Sequence, residues 1–130
     1  MAECSDGDTG WLGRNWQGFV SLEIHAFISR CAAMLKGSER EALLDDLGRA
    51  SIAETMDHDS IIIFDLRDYQ RPPYAGQSPY RVEGRMLDRD GTELTAALYA
   101  DRDGHLLELE FIRWGEGQLI EPDWSTLELY

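Results

Sequence analysis

The chain of 130 residues carries 25 acidic and 12 basic side chains, which gives a formal net charge of −13 at neutral pH. Such a charge opposes binding to nucleic acid and to anionic membrane surfaces and is complementary to a basic partner, although acidity also simply keeps proteins soluble. A hydrophobic content of 43% is enough for the core of one domain, whereas two cysteines and no apolar segment resembling a signal peptide or membrane helix indicate a reduced, cytoplasmic protein.

The first segment of the chain, residues 1–20, is rich in Gly, Asp, Ser and Asn, and we expect it to form an arm. Because tryptophan is costly to leave in water, Trp16 and Phe19 are predicted to pack against the body of the protein, with Met1 to Gly10 more mobile.

Two helices are predicted over residues 21–48. The first runs from its N-cap Ser21 to Lys36 and stops at Gly37, and the second opens with a capping box at Ser38–Glu41 and ends at Gly48. Apolar residues at helical spacing predict the buried stripe of the first helix. That stripe contains Ile24, Phe27, Ile28, Cys31, Met34 and Leu35.

Two strands are predicted after the helices. Ser51–Met56 alternates in polarity, and Ile61–Leu66 is a β-branched run typical of a central, buried strand. The prolines of residues 67–79 make this segment a long loop. Two interpretations of it remain open: it binds a partner, or Tyr69 and Tyr74 fold back on the edge of the sheet.

The sequence Asp-Arg-Asp-Gly occurs twice, at Asp88–Gly91 and at Asp101–Gly104. Asp bonds nearby backbone and Gly takes positive φ, so both are predicted to be tight turns. They join Tyr80–Leu87, Thr92–Ala100 and His105–Arg113 into a three-stranded meander. Alternate residues of these strands are predicted to face the core, namely Tyr80, Val82, Met86, Leu94, Ala96, Leu98, Leu107, Leu109 and Phe111.

These elements predict an α+β fold. An N-terminal helical hairpin is expected to pack on one face of a mostly antiparallel sheet of about five strands, which spans residues 51–121. Gln118–Glu121 is the expected edge strand, limited by Pro122, and residues 122–130 are expected to dock on the body through their apolar side chains.

No motif of the sequence indicates a particular chemistry. The repeated Asp-x-Asp-Gly is similar to oxygen-ligand loops, but the Gly at the sixth and the Glu at the twelfth position of a calcium loop are missing. The histidines and cysteines are scattered, and neither a nucleophile elbow nor a phosphate loop occurs. We therefore predict no catalytic residue, no metal site and no cofactor.

The polar side of the predicted meander is the candidate binding surface. It combines acidic side chains with aromatic ones, which suits a basic protein partner but also describes an ordinary acidic surface. The candidate partner-binding residues are Glu83, Asp90, Glu93, Tyr99, Asp103, Glu108, Glu110 and Trp114.

Two stretches carry a family resemblance: LLDDLGRA at Leu43–Ala50 and MLDRDGTELTAALYADRDGHLLELEFIR at Met86–Arg113. From about Glu23 onward the layout resembles a bacterial family of small acidic proteins described as a domain of unknown function, with both turns and the strand after them in the same order. More loosely, the size, the acidity and the lack of a catalytic motif resemble immunity proteins of contact-dependent growth inhibition and other polymorphic toxin systems.

The looser resemblance implies a cytoplasmic protein that neutralises a cognate toxin domain, in that class commonly a basic nuclease, by direct occlusion. Two alternatives remain. One is a small hydrolase that uses Glu108 or Glu110 together with His105. The other is a structural protein that forms a homodimer through exposed aromatic side chains.

Overall fold

The computed structural model describes residues 11–12, 18–73 and 76–130, which form two helices and six strands. The helices are α1 (Leu22–Met34) and α2 (Gly37–Arg49). The strands are β1 (Ala50–Met56), β2 (Ile61–Leu66), β3 (Ser78–Asp88), β4 (Glu93–Ala100), β5 (Leu106–Arg113) and β6 (Pro122–Leu129).

All six strands belong to one antiparallel sheet in the order β1-β2-β5-β4-β3-β6. Both helices pack on one side of this sheet, the covered face, and no described helix lies on the other side, the open face. The predicted α+β arrangement is confirmed, with two corrections. The sheet has six strands instead of about five, and the helical pair lies within the chain, after a segment that contributes Trp11 to the core.

The first helix begins as its sequence predicts. The Ser21 hydroxyl accepts a hydrogen bond from the backbone N–H of Ile24 at 3.3 Å, so Ser21 is the N-cap. The helix ends at Met34, earlier than expected, and this side chain is 49% exposed instead of buried. Arg40 of α2 donates to the carbonyl of Leu35, which satisfies one of the acceptors left free at the helix end.

The second helix begins and ends differently from the prediction. Gly37, with φ of +52°, is its first residue, and no side chain caps this end, so the predicted capping box at Ser38 does not form. The helix also continues through Gly48 to Arg49. No helix in the described part of the chain is long and apolar enough to cross a membrane.

The meander β3-β4-β5 and its alternation are confirmed. Of its predicted core residues, Val82, Met86, Leu94, Ala96, Leu98, Leu109 and Phe111 are buried on the covered face. Leu107 was predicted wrongly. A register shift places Leu106 opposite Ala100 and leaves Leu107 outside the pairing, so Leu106 enters the core and Leu107 is only half-buried.

The C-terminal segment of the sheet is the main error of the strand prediction. Residues 118–121 form no strand, and the edge strand is β6, the segment that was expected only to dock. It pairs antiparallel with β3, with Leu129 opposite Gly84 and Asp123 opposite Leu87. Residues 124–127 bulge out of this pairing, which breaks the alternation by which a strand is recognised in a sequence.

The residues before α1 also differ from expectation. The ring of Trp11 packs edge-on against Phe111 at 5.6 Å and against Trp124 at 6.1 Å, and its indole N–H donates to the backbone carbonyl of Asp59. Phe19, which was predicted to pack, is 75% exposed. The predictions for Trp16 and for Met1 to Gly10 lie outside the described residues.

Candidate functional site

The first Asp-Arg-Asp-Gly turn is built around a fully buried carboxylate. Asp88 accepts hydrogen bonds from the backbone N–H groups of Ile120 and Glu121 at 2.9 and 2.7 Å, and from Arg113 at 2.7 Å. Gly91 takes a φ of +88°, as the turn prediction requires. The turn therefore fixes the loop between β5 and β6 in place.

The second turn repeats this arrangement with different partners. The buried Asp101 carboxylate accepts from the Tyr69 hydroxyl at 2.6 Å, from Arg71 at 3.0 Å and from the backbone N–H of His105 at 3.0 Å. Of the two interpretations of the loop after β2, the structure shows Tyr69 folded back on the sheet, whereas Tyr74 lies outside the described residues.

The two turns thus resemble each other in structure and in role. In each turn the first aspartate binds a neighbouring loop, and its carboxylate forms an ion pair with an arginine. Among the described residues, no group of three or more potential metal ligands comes together. The repeated motif is accounted for by these structural contacts.

The residues of the alternative hydrolase hypothesis lie on different sides of the sheet. His105 contacts the buried Asp46 of α2 through Nδ1, at 3.1 Å from the carboxylate, and its ring lies 4.3 Å from that of Tyr69. It therefore points to the helix side, whereas Glu108 and Glu110 lie on the open face. The structure does not bring the three side chains together.

Most of the predicted partner-binding residues share the open face. Glu108 of β5 stands opposite Tyr99 of β4, and Glu110 stands opposite Ala97, which in turn stands opposite Glu83 of β3. The strand register therefore brings these side chains into one surface. Of the predicted set, this surface contains Glu83, Glu93, Tyr99, Glu108, Glu110 and Trp114.

Trp114 follows β5 at the rim of this surface. Its indole N–H donates to the Thr95 hydroxyl at 2.8 Å, yet 66% of the residue is exposed. Its ring is thus fixed in orientation while most of its surface remains free for contact, which is typical of an aromatic anchor.

Two predicted residues lie elsewhere, at opposite ends of the sheet. Asp90, in the turn between β3 and β4, is held by Arg113 at 2.8 Å, and this hydrogen bond lowers its pKa well below the usual range. Asp103 lies in the turn between β4 and β5. Neither belongs to the strand rows that form the centre of the open face.

An apolar row next to the acidic residues was missed by the sequence prediction. Met56 of β1 and Ile61 and Ile63 of β2 point to the open face, and the two isoleucines stand opposite Glu110 and Glu108. We call Met56, Ile61 and Ile63 the apolar row, and Glu108 with Glu110 the acidic row. The signal available in the sequence was the polar Asp65, which marks one side of β2 as exposed. That side also holds Ile61 and Ile63, whereas Ile62, Phe64 and Leu66 are buried on the other.

The acidic row is electrostatically unfavourable in the free protein. Burial raises the pKa of Glu108, and the neighbouring charge of Glu110 raises it further. The pKa of Tyr99 is also raised, first by burial and then by the carboxylates of Glu110 and Glu108. Within the described part of the chain, neither glutamate forms an ion pair.

Two pockets flank the open face at opposite ends. One, of about 310 Å³, lies beside the proline-containing loop and is lined by Glu54, Ile63, Asp65, Pro72, Pro73 and Leu107, among others. The second, of about 240 Å³, is lined by Glu83, Arg85, Glu93, Leu94, Thr95 and Trp114. The open face is therefore bounded by two concave ends.

Residues 31–123 match the model of the family described as Domain of unknown function (DUF6984), so the chain belongs to this family. The expected membership of an uncharacterised family is thereby confirmed. No curated protein and no solved structure gives a significant match to the chain.

Proposed function

We propose that this member of the DUF6984 family is a non-catalytic protein-binding module whose open face docks a basic protein. In its most concrete form, the proposal is an immunity protein that neutralises a cognate toxin domain, a basic nuclease, by direct occlusion. The observation that carries the proposal is the acidic row, a pair of half-buried like charges without a cationic partner among the described residues.

A basic partner would relieve this repulsion. Two like charges about 7 Å apart repel by roughly 1 kcal/mol in a medium between protein and water, because alternate strand residues are separated by about 6.7 Å. An arginine or lysine of the partner placed between Glu108 and Glu110 replaces that repulsion with two attractions. Docking would also remove the apolar row from water.

The net charge supports the same partner class. A charge of −13 steers a basic protein toward this chain over distances of about 10 Å at moderate salt and raises the association rate. A nuclease recognises phosphates with basic groups. An acidic surface is attracted to those same groups, so binding there would exclude the nucleic acid.

The alternatives receive less support from the described structure. Self-association through the open face would bring two acidic rows together, which opposes a homodimer at this surface. The hydrolase hypothesis needs His105 near Glu108 or Glu110, and these side chains lie on opposite sides of the sheet.

The proposal is tested by co-expressing the protein with the toxin domain encoded immediately upstream of its gene and measuring affinity by calorimetry at two salt concentrations. We expect a complex with a dissociation constant of about 1 nM that weakens strongly as salt increases. Absence of an adjacent toxin gene, or failure of the two proteins to associate, would contradict the immunity function.

A matched pair of variants locates the interface. Glu108→Lys/Glu110→Lys changes the open face, and Glu39→Lys/Glu41→Lys changes the net charge equally on the exposed side of α2. We expect the first variant to lose binding by at least about a hundredfold and the second to lose it only slightly, since local charge pairs outweigh screened distant ones. Equal losses would show that only net charge matters.

A further inference from the structure

The open face presents two different rows that run side by side along the strands. The apolar row follows β2, with Met56 of β1 beside Ile61, and the acidic row follows the neighbouring strand β5. Neighbouring strands lie about 4.8 Å apart, so both rows fit within the width of a single element of secondary structure. The occupant of this surface must therefore match an apolar and an acidic row at the same time.

The position of these rows excludes one common mode of binding. β2 lies between β1 and β5, and β5 lies between β2 and β4, so the backbone groups of both strands are already engaged within the sheet. A partner strand cannot add to the sheet at this place, because strand addition requires a free edge. Contact here must be made by side chains.

A helix matches both rows, whereas an extended segment does not. An extended chain points every second side chain away and presents a single row to a flat surface. Helix residues spaced by three or four positions lie on the same face, so a helix can present a line of basic side chains directly beside a line of apolar ones. The rise of about 6.0 Å between helix residues i and i+4 is close to the ~6.7 Å between Glu108 and Glu110 along the strand.

We infer that the part of the basic partner that docks on the open face is an amphipathic α-helix, which lies along β5 with a basic stripe on the acidic row and an apolar stripe on the apolar row. This inference rests on the proposed function and specifies the partner. The strands involved span about 20 to 27 Å, which corresponds to a helix of roughly 13 to 18 residues.

Helices already pack on the other side of the same sheet. α1 and α2 pack on the covered face through apolar stripes such as Ile24, Phe27 and Ile28 of α1. A helix on the open face would complete three layers with the sheet in the middle. The difference between the two sides is charge: the covered face receives apolar stripes, and the open face needs a stripe that is partly basic.

The test uses two synthetic peptides of about 16 residues with identical composition. In the first, arginines at i, i+4 spacing form a line beside a line of leucines, and in the second the same residues are scrambled so that no amphipathic face exists. Fluorescence anisotropy gives the affinity of each peptide, and circular dichroism gives the change in helix content on binding.

We expect the amphipathic peptide to bind at least about tenfold more tightly than the scrambled one and to gain helix content on binding. In the protein, Glu108→Gln/Glu110→Gln should weaken binding of the amphipathic peptide about tenfold or more and reduce its salt dependence. Ile61→Thr/Ile63→Thr should weaken it at high and low salt alike. The matched control Glu39→Gln/Glu41→Gln should bind as the wild type does.

Two results would overturn the inference in distinguishable ways. If the scrambled peptide binds as well as the amphipathic one, and both depend on Glu108 and Glu110, the open face docks basic chains without requiring a helix. If neither peptide depends on Glu108 and Glu110, the open face is not the docking surface, and the proposed function loses its interface as well.

Discussion

Carboxylates on the two sides of the sheet differ in whether they have a positively charged partner. On the covered side and at the turns, Asp46, Asp88 and Asp101 are buried, and each is paired with an arginine and with backbone N–H groups or a histidine. On the open face, Glu108 and Glu110 are half-buried side by side without an ion pair among the described residues.

This difference separates structural charge from charge available for binding. Removing a buried, fully paired carboxylate strongly destabilises the protein, because its hydrogen-bonding partners are left unsatisfied. A half-buried pair of like charges lowers the stability of the free protein. A bound partner of opposite charge removes this cost. The same residue class therefore serves the fold at the turns and, in our proposal, binding on the open face.

The largest expected effect comes from removing a buried carboxylate. Asp88→Ala should lower the free energy of unfolding by about 3–5 kcal/mol, because Arg113 and the N–H groups of Ile120 and Glu121 lose their acceptor. The open-face change Glu110→Ala should have a far smaller effect. Urea denaturation of both variants measures the difference, and similar losses would contradict the distinction between the two carboxylate classes.

Two adjacent alanines of β4 allow the packing of the two faces to be compared. Ala96 is fully buried on the covered face, and Ala97 lies half-buried on the open face. Ala96→Val should destabilise by about 1–3 kcal/mol through overpacking. Ala97→Val should stay within about 0.5 kcal/mol of the wild type, because it adds a β-favouring side chain on an uncovered surface. Comparable destabilisation by both would mean that the open face is packed against something.

Neutralising the acidic row should stabilise the free protein slightly. Glu108→Gln/Glu110→Gln is expected to raise the free energy of unfolding by a few tenths to about 1 kcal/mol, because the repulsion is removed while the shape is kept. The charge-matched control Glu39→Gln/Glu41→Gln should not raise it, because Glu39 lies in the first turn of α2, where a negative charge is favourable. A loss of stability in the open-face variant would show that these glutamates have favourable contacts.

The pH dependence of stability should also distinguish the two classes. The raised pKa of Glu108 means that the folded state binds this proton more tightly, so stability increases as pH falls from neutral through that pKa. For Asp101, burial would raise the pKa, but the hydrogen bonds from Tyr69, His105 and Arg71 lower it overall. Its contribution to stability is present above about pH 4, the ordinary value, and is lost as pH falls below it through the folded pKa.

Thermal unfolding between roughly pH 3 and pH 7 measures this profile. We expect a shallow maximum in the mildly acidic range that is smaller in Glu108→Gln. A stability that falls steadily from neutral pH, with no difference in the variant, would contradict the assigned pKa direction of Glu108.

The sequence predicted those parts of the fold that depend on local patterns. The meander, both turns and the N-cap Ser21 follow from alternation, Asp-Gly chemistry and capping. The bulges at Leu107 and in β6 escaped prediction because each shifts the alternation within a strand. The packing of Trp11 depends on a contact with β5 and β6 that no local pattern encodes.

The candidate surface was predicted in part. Strand alternation placed Glu83, Glu93, Tyr99, Glu108 and Glu110 on one side correctly. The apolar row was missed because β2 was predicted only as a central, buried strand, and the strands beside it depend on long-range strand order, which the sequence does not give. Asp90 and Asp103 were included for their charge, although the turns that carry them lie at opposite ends of the sheet.

The most direct test of the docking surface uses isoleucine methyl groups as reporters of both faces. Ile61, Ile63 and Ile112 report the open face, and the buried residues Ile24, Ile28, Ile52 and Ile62 report the covered face. Methyl NMR spectra are recorded while the basic partner domain is added. We predict that the open-face methyl signals shift or broaden while the covered-face signals stay nearly unchanged. Changes confined to the covered-face reporters would contradict docking on the open face.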